Sequence, residues 1–342
     1  MNTTNDKIFF QIILMDDIWI SIKSLMYPLK KSCNFNQYTD GDVAAFFGYL
    51  NLIRAKPDLL FTKCAINSAA RNGYLDVVQW LHFNRSDGCT KGAMDGAIRN
   101  GHLDVVKWLH HNRTEGSTIT IINQAAEMGQ LEMIKWLYYN RDVYCTPYAM
   151  DSACNNGHLT VIKWLHHNLK QTVPWCGTNV STSRGHLEIV KWLHYNGFGH
   201  CTEDTMDKAA LNGHLGVVQW FHFNRMKGCT IRAMDWAAMY GHLDVVQWLH
   251  FNRNEGCTTN AMDSAAEHGH LAIVKWLHFN RDEGCTVDAI NWAALNNHLK
   301  IVKWLCLNRN EGFTKQAIYN VTEQENREIL EWLNKYKFKM VE

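Results

Sequence analysis

The sequence contains 18 histidines and 11 cysteines, the side chains that most often bind zinc or act in acid–base and nucleophilic catalysis. Fourteen of the histidines occupy two positions that lie eight residues apart, as His242 and His250 do. On a helix that separation spans about 12 Å, whereas zinc ligands converge within about 2.3 Å of the metal. We therefore expect no metal site, and we assign these histidines to hydrogen bonding at the starts and ends of helices.

Six of the cysteines share one position, 19 residues before a tryptophan: Cys89, Cys145, Cys201, Cys229, Cys257 and Cys285. Equivalent atoms of stacked helices lie about 8–10 Å apart, but a disulfide requires Cα atoms within about 7 Å. The pattern predicts a ladder of small, buried, reduced side chains.

Motifs for catalysis on phosphates or esters are missing from the sequence. There is no Gly-x-Gly-x-x-Gly or P-loop, and no Gly-x-Ser-x-Gly nucleophile elbow. A catalytic group should be unique, whereas nearly every reactive side chain here is copied many times. The sequence predicts no enzyme, no catalytic residue and no cofactor.

These side chains recur because the chain itself repeats. Ten tryptophans stand 28 residues apart, at Trp80, Trp108, Trp136, Trp164, Trp192, Trp220, Trp248, Trp276, Trp304 and Trp332. A constant period of this length indicates a solenoid, in which each unit buries its apolar face against its neighbours. We number the repeats one to ten by these tryptophans. Repeats one to nine are full units, and the polar tenth repeat reads as a C-terminal cap.

Repeat seven shows how each unit should fold. Thr230 is a suitable N-cap for a first helix, Gly241 can end that helix in the left-handed conformation, and a second helix should run from Leu243 to Phe251. One side of each helix is apolar, with Ala233, Met234, Ala237 and Ala238 on the first and Leu243, Val245, Val246 and Leu249 on the second. We expect Trp248 to fill the space between repeats.

The run Ala-Ala-x-x-Gly-His-Leu-Asp-Val-Val at Ala237 to Val246 resembles the core of the ankyrin repeat, as do residues 265–274 and 69–78. The resemblance implies an all-α solenoid of stacked antiparallel helix pairs. It also implies a non-enzymatic scaffold that binds a protein, in the cytoplasm or the nucleus. The period is shorter than the roughly 33 residues usual for ankyrins, so the projecting hairpin should be reduced to a turn.

Charge and hydropathy restrict the partners further. The formal net charge is +1, with both signs interspersed, which argues against nucleic acid. The longest apolar stretch, Ile8 to Met15, is far shorter than the roughly 20 residues of a membrane span. We therefore expect a soluble monomer that binds an unidentified protein, not nucleic acid or a membrane.

The domain organisation follows from the repeat. Residues 1–60 lie outside the register, residues 61–336 hold the repeats, and residues 337–342 form a tail. The segments Ile8–Leu25 and Asp42–Arg54 look helical, so residues 1–60 are predicted to be a helical cap. The alternative is a degenerate F-box-like module, which would make the protein a substrate adaptor of a ubiquitin ligase. An enzyme with unrecognised chemistry is the third hypothesis.

Partner recognition should use positions that vary while the frame stays constant. Those 16, 12 and 9 residues before each tryptophan share one face of the first helix, the concave face in an ankyrin-like stack. The predicted binding residues are Lys208, Leu211, Arg232, Trp236, Met239, Ser264, Glu267, Trp292 and Leu295. The alternative is that Trp236 and Trp292 fold back onto Ser264.

Two further patterns carry predictions. An aromatic residue three positions after most tryptophans, at Phe83, Tyr139, Tyr195, Phe223, Phe251 and Phe279, is expected to pack beneath the following Asn-Arg turn rather than to bind. In repeat five, Pro174, Gly177, Val180 and Ser181-Thr182 replace the capping threonine, good helix formers and the alanine pair. We therefore predict a soft segment near residues 169–185.

Overall fold

The computed structural model describes residues 40–56, 59–118, 120–141, 144–173, 176–198, 201–224 and 228–341. These residues form two compact units, which divide between residues 121 and 122. Within each unit, helices come in antiparallel pairs; we call the first helix of a pair inner and the second outer. The predicted all-α architecture of stacked helix pairs is confirmed.

The helices of the first unit are α1 Asp40–Phe46, α2 Leu50–Ala55, α3 Lys63–Arg71, α4 Leu75–Asn84, α5 Lys91–Arg99 and α6 Leu103–Asn112. Those from the boundary onward are α7 Ile121–Glu127, α8 Leu131–Asn140, α9 Pro147–Asn155, α10 Leu159–Leu169, α11 Gly177–Ser183, α12 Leu187–Tyr195, α13 Glu203–Leu211, α14 Leu215–Phe223, α15 Arg232–Met239, α16 Leu243–Asn252, α17 Asn260–Glu267, α18 Leu271–Asn280, α19 Asp288–Leu295, α20 Leu299–Asn308, α21 Lys315–Glu323 and α22 Arg327–Lys335. Two short parallel strands, β1 Phe313–Thr314 and β2 Met340–Val341, pair near the C-terminal end.

Repeat seven folds as its sequence predicts. The backbone N–H of Arg232 donates to the Thr230 hydroxyl at 3.1 Å, which caps α15. Gly241 ends the turn with a φ of +88°, a conformation that glycine adopts without steric cost. A Cβ at this glycine would also collide with the ring of His270 from the next repeat. The glycine is therefore required both for the turn and for close stacking.

Small residues let the inner helices approach one another closely. Ala233, Ala237 and Ala238 are buried on α15, and α15 packs against both α13 and α17. The outer helices bury valine and leucine on the side that faces their own inner helix, as Val245, Val246 and Leu249 do. Burial of each such side chain contributes about 1.5–3 kcal/mol before entropy is subtracted.

Successive inner helices are also joined by a hydrogen-bonded ladder. In repeat six, Asp207 accepts from both the backbone N–H and the hydroxyl of Thr230, at 2.8 and 2.7 Å. The same pair of bonds joins Asp235 to Thr258 and Asp263 to Thr286. Each threonine also caps its own helix, so one hydroxyl fixes a helix end and its position on the preceding repeat.

The predicted helix Asp42–Arg54 is interrupted, because residues 47–49 form a turn with Gly48 at a φ of +72°. The resulting pair, α1 and α2, packs on the next pair as a repeat does: Asp42 accepts from the Thr62 N–H at 2.8 Å and from its hydroxyl at 2.6 Å. Within the predicted cap, residues 1–39 and 57–58, which include the predicted helix Ile8–Leu25 and Pro57, lie outside the described residues.

The predicted tail is part of the fold. A 3₁₀ turn at Lys337–Lys339 leads into β2. The Lys339 ammonium donates to the carbonyl oxygens of Cys306 and Arg309, at 2.9 and 2.6 Å. These bonds satisfy carbonyl groups at the C-terminal end of α20, which the helix itself leaves unpaired.

Candidate partner-binding surfaces

The predicted binding row lies along inner helices α13, α15, α17 and α19. Arg232 and Leu295 are exposed, and the other seven predicted residues are half-buried. The nine side chains are therefore partly packed against the protein and still accessible to a partner.

Trp236 has a polar neighbour on its own helix. The Arg232 guanidinium lies 5.7 Å from the centroid of the Trp236 ring, a cation–π geometry. Tyr240, four residues after Trp236, is an exposed large side chain, and its ring lies 6.3 Å from that of His268 on the next repeat. The apolar surface near Trp236 thus extends beyond the three positions chosen from the sequence.

The same three positions are not open in every repeat. Gly96 in repeat two and Ser152 in repeat four are buried. The variable face is therefore not continuous at these two residues. At Gly96 the preceding inner helix leaves no room for a side chain, since a Cβ there would lie 3.0 Å from Arg71 Cβ.

The first histidine position joins repeats through the backbone. The Nε2 atoms of His158, His186 and His214 donate to the carbonyl oxygens of Glu127, Asn155 and Ser183, at 2.9, 3.0 and 3.0 Å. Each acceptor lies near the end of the preceding inner helix, so these imidazoles satisfy carbonyl groups that the helix leaves unpaired. Burial lowers the pKa of His214 and of His270. The predicted role in hydrogen bonding is confirmed.

The second histidine position stands between repeats. The ring of His222 meets Trp248 of the next repeat edge-on at 5.1 Å, and Arg253 Nη1 donates to its Nδ1 at 3.4 Å. His250 and His278 make the same contacts with the following repeat. The predicted packing of the tryptophans between repeats is confirmed.

The cysteine ladder is only partly buried, since Cys145 and Cys201 are half-buried. Near Cys229, the turn that follows the outer helix of the same repeat supplies Arg253 and Glu255, which pair with each other. Desolvation, followed by the charge of Glu255, raises the pKa of the Cys229 thiol to about 11. A thiol with so high a pKa is a poor nucleophile, which agrees with a structural role. The ten cysteines of the described residues are all free thiols.

The aromatic row on the outer helices is exposed, so the prediction that it packs beneath the Asn-Arg turn is wrong. Phe83, Tyr139, Tyr195, Phe223, Phe251 and Phe279 each present about 70% of their surface to solvent. It is the histidine directly before the aromatic residue that contacts a turn, because it accepts from the arginine in the turn of the next repeat. The aromatic side chain is consequently directed outward.

Two features escaped the sequence reasoning although both left a signal. The ladder acceptor, 13 residues before each tryptophan of repeats one to nine, is always Asp or Asn, and the residue 23 positions after it is threonine except at Pro174. The pair α1–α2 carries Ala44-Ala45-x-x-Gly48-Tyr49-Leu50, a repeat core offset by 25 residues rather than 28. A search restricted to the tryptophan register could not find it.

Sites for other chemistry were sought throughout the described part of the chain. It contains no group of three or more histidine, cysteine or acidic residues arranged to hold a metal ion. Within the same ranges, no helix has the length and apolar character needed to cross a membrane. The F-box-like hypothesis depends largely on residues 1–39, which lie outside those ranges.

Comparison with known families agrees with the geometry. A family model described as ankyrin repeats in three copies matches residues 66–149 and 94–174. A second, described as ankyrin repeats in many copies, matches residues 180–222 and 234–278. No curated protein matches the chain.

Proposed function

This chain belongs to the ankyrin-repeat family, and we propose that it is a non-enzymatic scaffold that binds a protein partner on the inner-helix face of repeats six to nine. The observation that carries the proposal is the apolar surface around Trp236 and Trp292. Ankyrin repeats are in general modules for protein–protein interaction, which supports this reading of the surface.

The residues of this surface come from neighbouring elements. Trp236 and Met239 lie on α15, and Trp292 and Leu295 lie on α19. The intervening helix α17 packs against both and contributes Ser264 and Glu267, which are small or polar. Two half-buried indoles thus flank a segment of small or polar side chains. Such a surface suits a partner that contacts both indoles, since tryptophan is enriched among the residues that dominate binding energy.

Packing within residues 122–342 favours this face. Inner helices meet through alanines, whereas the outer layer holds tryptophan, histidine and arginine between repeats. Because the bulkier side chains separate the outer helices more than the inner ones, the inner-helix face should be the concave side of this unit. A concave surface gives a partner more contact area than a flat one.

The test is partner capture from extracts of the native cell by full-length protein and by the Trp236→Ala/Trp292→Ala variant. We expect the variant to lose its partner, at a cost of about 2 kcal/mol or more for each anchor, with thermal unfolding nearly unchanged. Tyr148→Ala is the matched control, since Tyr148 is an exposed aromatic side chain on the inner helix of repeat four. Intact capture by the double variant would refute the assignment, as would early melting with binding retained.

A further inference from the structure

The outer face of repeats six to nine carries a second apolar surface, separate from the proposed partner site. Phe223, Phe251, Phe279 and Leu307 occupy one position on α14, α16, α18 and α20, and their exposed fractions are 69, 73, 73 and 61%. We call these four residues the outer row. A contiguous row of large apolar side chains with so much exposure marks an interaction site.

Contacts at the base of the outer row hold it in this position. The Phe223 ring lies 5.1 Å from the ring of His222 and 6.5 Å from that of Trp248 in the next repeat. Phe279 repeats the arrangement, 4.8 Å from His278 and 6.5 Å from Trp304. The half-buried indoles therefore form the floor between neighbouring members of the outer row, and the row is an ordered surface.

The outer helices that carry the outer row have more positive than negative side chains. The outer helices of repeats six to nine contain Lys275, Lys300 and Lys303 but a single carboxylate, Asp244. Lys275 and Lys300 are exposed, and no carboxylate among the described residues forms an ion pair with either of them. In the turns, Glu255, Glu283 and Glu311 are held by arginines, whereas Asp282, three residues after Phe279, is an exposed carboxylate.

Repeats three and five provide the contrast. There the outer-helix lysines are neutralised on their own helices, Lys135 by Glu132 and Lys191 by Glu188, both at 2.7 Å. Aromatic residues stand beside them at Tyr139 and Tyr195. In repeats eight and nine, by contrast, Phe279 and Leu307 stand on helices whose exposed lysines, Lys275 and Lys300, form no ion pair with a described carboxylate. Exposed apolar side chains and lysines without an ion pair therefore occur together there.

We propose that the outer row and its lysines bind an acidic peptide segment that carries apolar side chains about 10 Å apart, the separation of neighbouring stacked helices. The apolar side chains would enter between members of the outer row, over Trp248, Trp276 and Trp304. The acidic groups would pair with Lys275 and Lys300, since opposite charges at an interface favour association and select the partner.

An anionic membrane shares this chemistry but fits the surface less well. Asp244 lies seven residues before Phe251 on the same face of α16, so a planar anionic surface in contact with Phe251 would meet this carboxylate. A peptide segment can place a neutral or basic residue opposite Asp244. The surface is on the outer helices, so its occupation leaves Trp236 and Trp292 accessible.

The experiment selects a display library of random 16-residue peptides on the full-length protein. We expect the enriched peptides to be acidic and to carry two or more large apolar residues. Their affinity should fall at least tenfold, about 1.4 kcal/mol, for Phe251→Ala/Phe279→Ala and for Lys275→Glu/Lys300→Glu. All four residues are exposed, so thermal unfolding should be unchanged in both variants.

The matched control is Tyr139→Ala/Tyr195→Ala, which removes the same type of side chain beside neutralised lysines and should leave affinity unchanged. The Trp236→Ala/Trp292→Ala variant should also bind the peptides normally, which separates this proposal from the inner-face function. Selection of neutral or basic peptides, or none that respond to the outer-row variants, would overturn the proposal. Binding to phosphatidylserine vesicles in place of peptides would overturn it as well.

Discussion

Repeat seven and repeat five form the same pair of helices, but repeat five lacks some of the hydrogen bonds and buried apolar residues that stabilise repeat seven. In repeat seven, Asp235 accepts two hydrogen bonds from Thr258, both at 2.8 Å, and the alanine pair Ala237-Ala238 is buried. In repeat five, Asn179 accepts from Thr205 rather than from the capping Thr202, and Ser181-Thr182 replaces the alanines. We call each set of hydrogen bonds between an acceptor and the following repeat a rung of the ladder. The ladder thus contains both complete and incomplete rungs.

The imperfections of repeat five are of two physical kinds. The Thr182 hydroxyl is buried and has no hydrogen-bond partner among the described residues, which costs about 1–3 kcal/mol. The rung between repeats four and five is also changed: Asp151 contacts the Cys176 thiol at 3.1 Å, because the threonine position is taken by Pro174, which has no N–H to donate. We therefore expect the local stability of a repeat to depend on its own hydrogen bonds and packing rather than on its position in the stack.

The largest expected effect comes from breaking a good rung. Asp235→Ala should lower the free energy of unfolding by about 2–3 kcal/mol, because it leaves the Thr258 N–H and hydroxyl without their acceptor. Asp151→Ala is the matched change at a poor rung and should cost less than about 1 kcal/mol. Urea titrations followed by circular dichroism measure both. Equal losses would show that the two rungs are equivalent.

A smaller effect should appear in hydrogen exchange. Amides of residues 177–182 in repeat five should exchange about tenfold or more faster than those of residues 233–238 in repeat seven, since local opening costs less where packing is poor. Thr182→Ala should narrow the difference by removing the unpaired hydroxyl. The soft segment at 169–185 lies inside the second compact unit, not at the 121/122 boundary. Similar protection of residues 177–182 and 233–238 would disprove the prediction of a soft segment.

The smallest expected effect is a pH dependence shared by both repeats. His214 bonds the end of the repeat-five inner helix and His270 that of repeat seven, and burial lowers the pKa of each. Histidine in an unfolded chain titrates near about pH 6.5, so below that pH the unfolded state takes up more protons than the folded one. The contribution of these two histidines to stability should be fully present above this pH and should be lost as the pH drops from it towards the lowered folded pKa.

The measurement for this prediction is urea unfolding at pH 7.5 and pH 5.5. The His214→Gln/His270→Gln variant should show a weaker pH dependence, because glutamine cannot titrate; Gln130 already stands at this position in repeat three. An unchanged dependence in the variant would assign the effect to other groups.

The sequence predicts best what depends on one residue at a time. Gly241 at the helix end, the buried alanines of α15 and the tryptophans between repeats all follow from local rules of conformation, size and periodicity, and all are found. The fold of a repeat could be predicted because each unit contains its own turn and apolar faces.

The sequence does not predict which of two neighbouring side chains packs inside the structure and which stays exposed. A helical wheel places both His250 and Phe251 near the turn, but only the three-dimensional arrangement shows that the histidine contacts Arg281 and the phenylalanine stays outside. The alternation of Asp and Asn similarly concealed the ladder, since a position that varies looks unconstrained. The inner-face site stays a prediction, because its residues are only shown to be accessible.

The ladder between inner helices has a direction, and its last step bears on polymer growth. Except at Asp151, each acceptor serves a threonine that follows it in the chain, and the series ends where Asn291 accepts from Thr314 at 3.0 Å. The next acceptor position is Tyr319, which is 60% exposed and offers no carboxylate or amide oxygen. Any further repeat stacked on the tenth, including one from a second molecule, would find no carboxylate or amide acceptor at this position, so growth into a filament through this repeat would lack the contact that joins the earlier repeats.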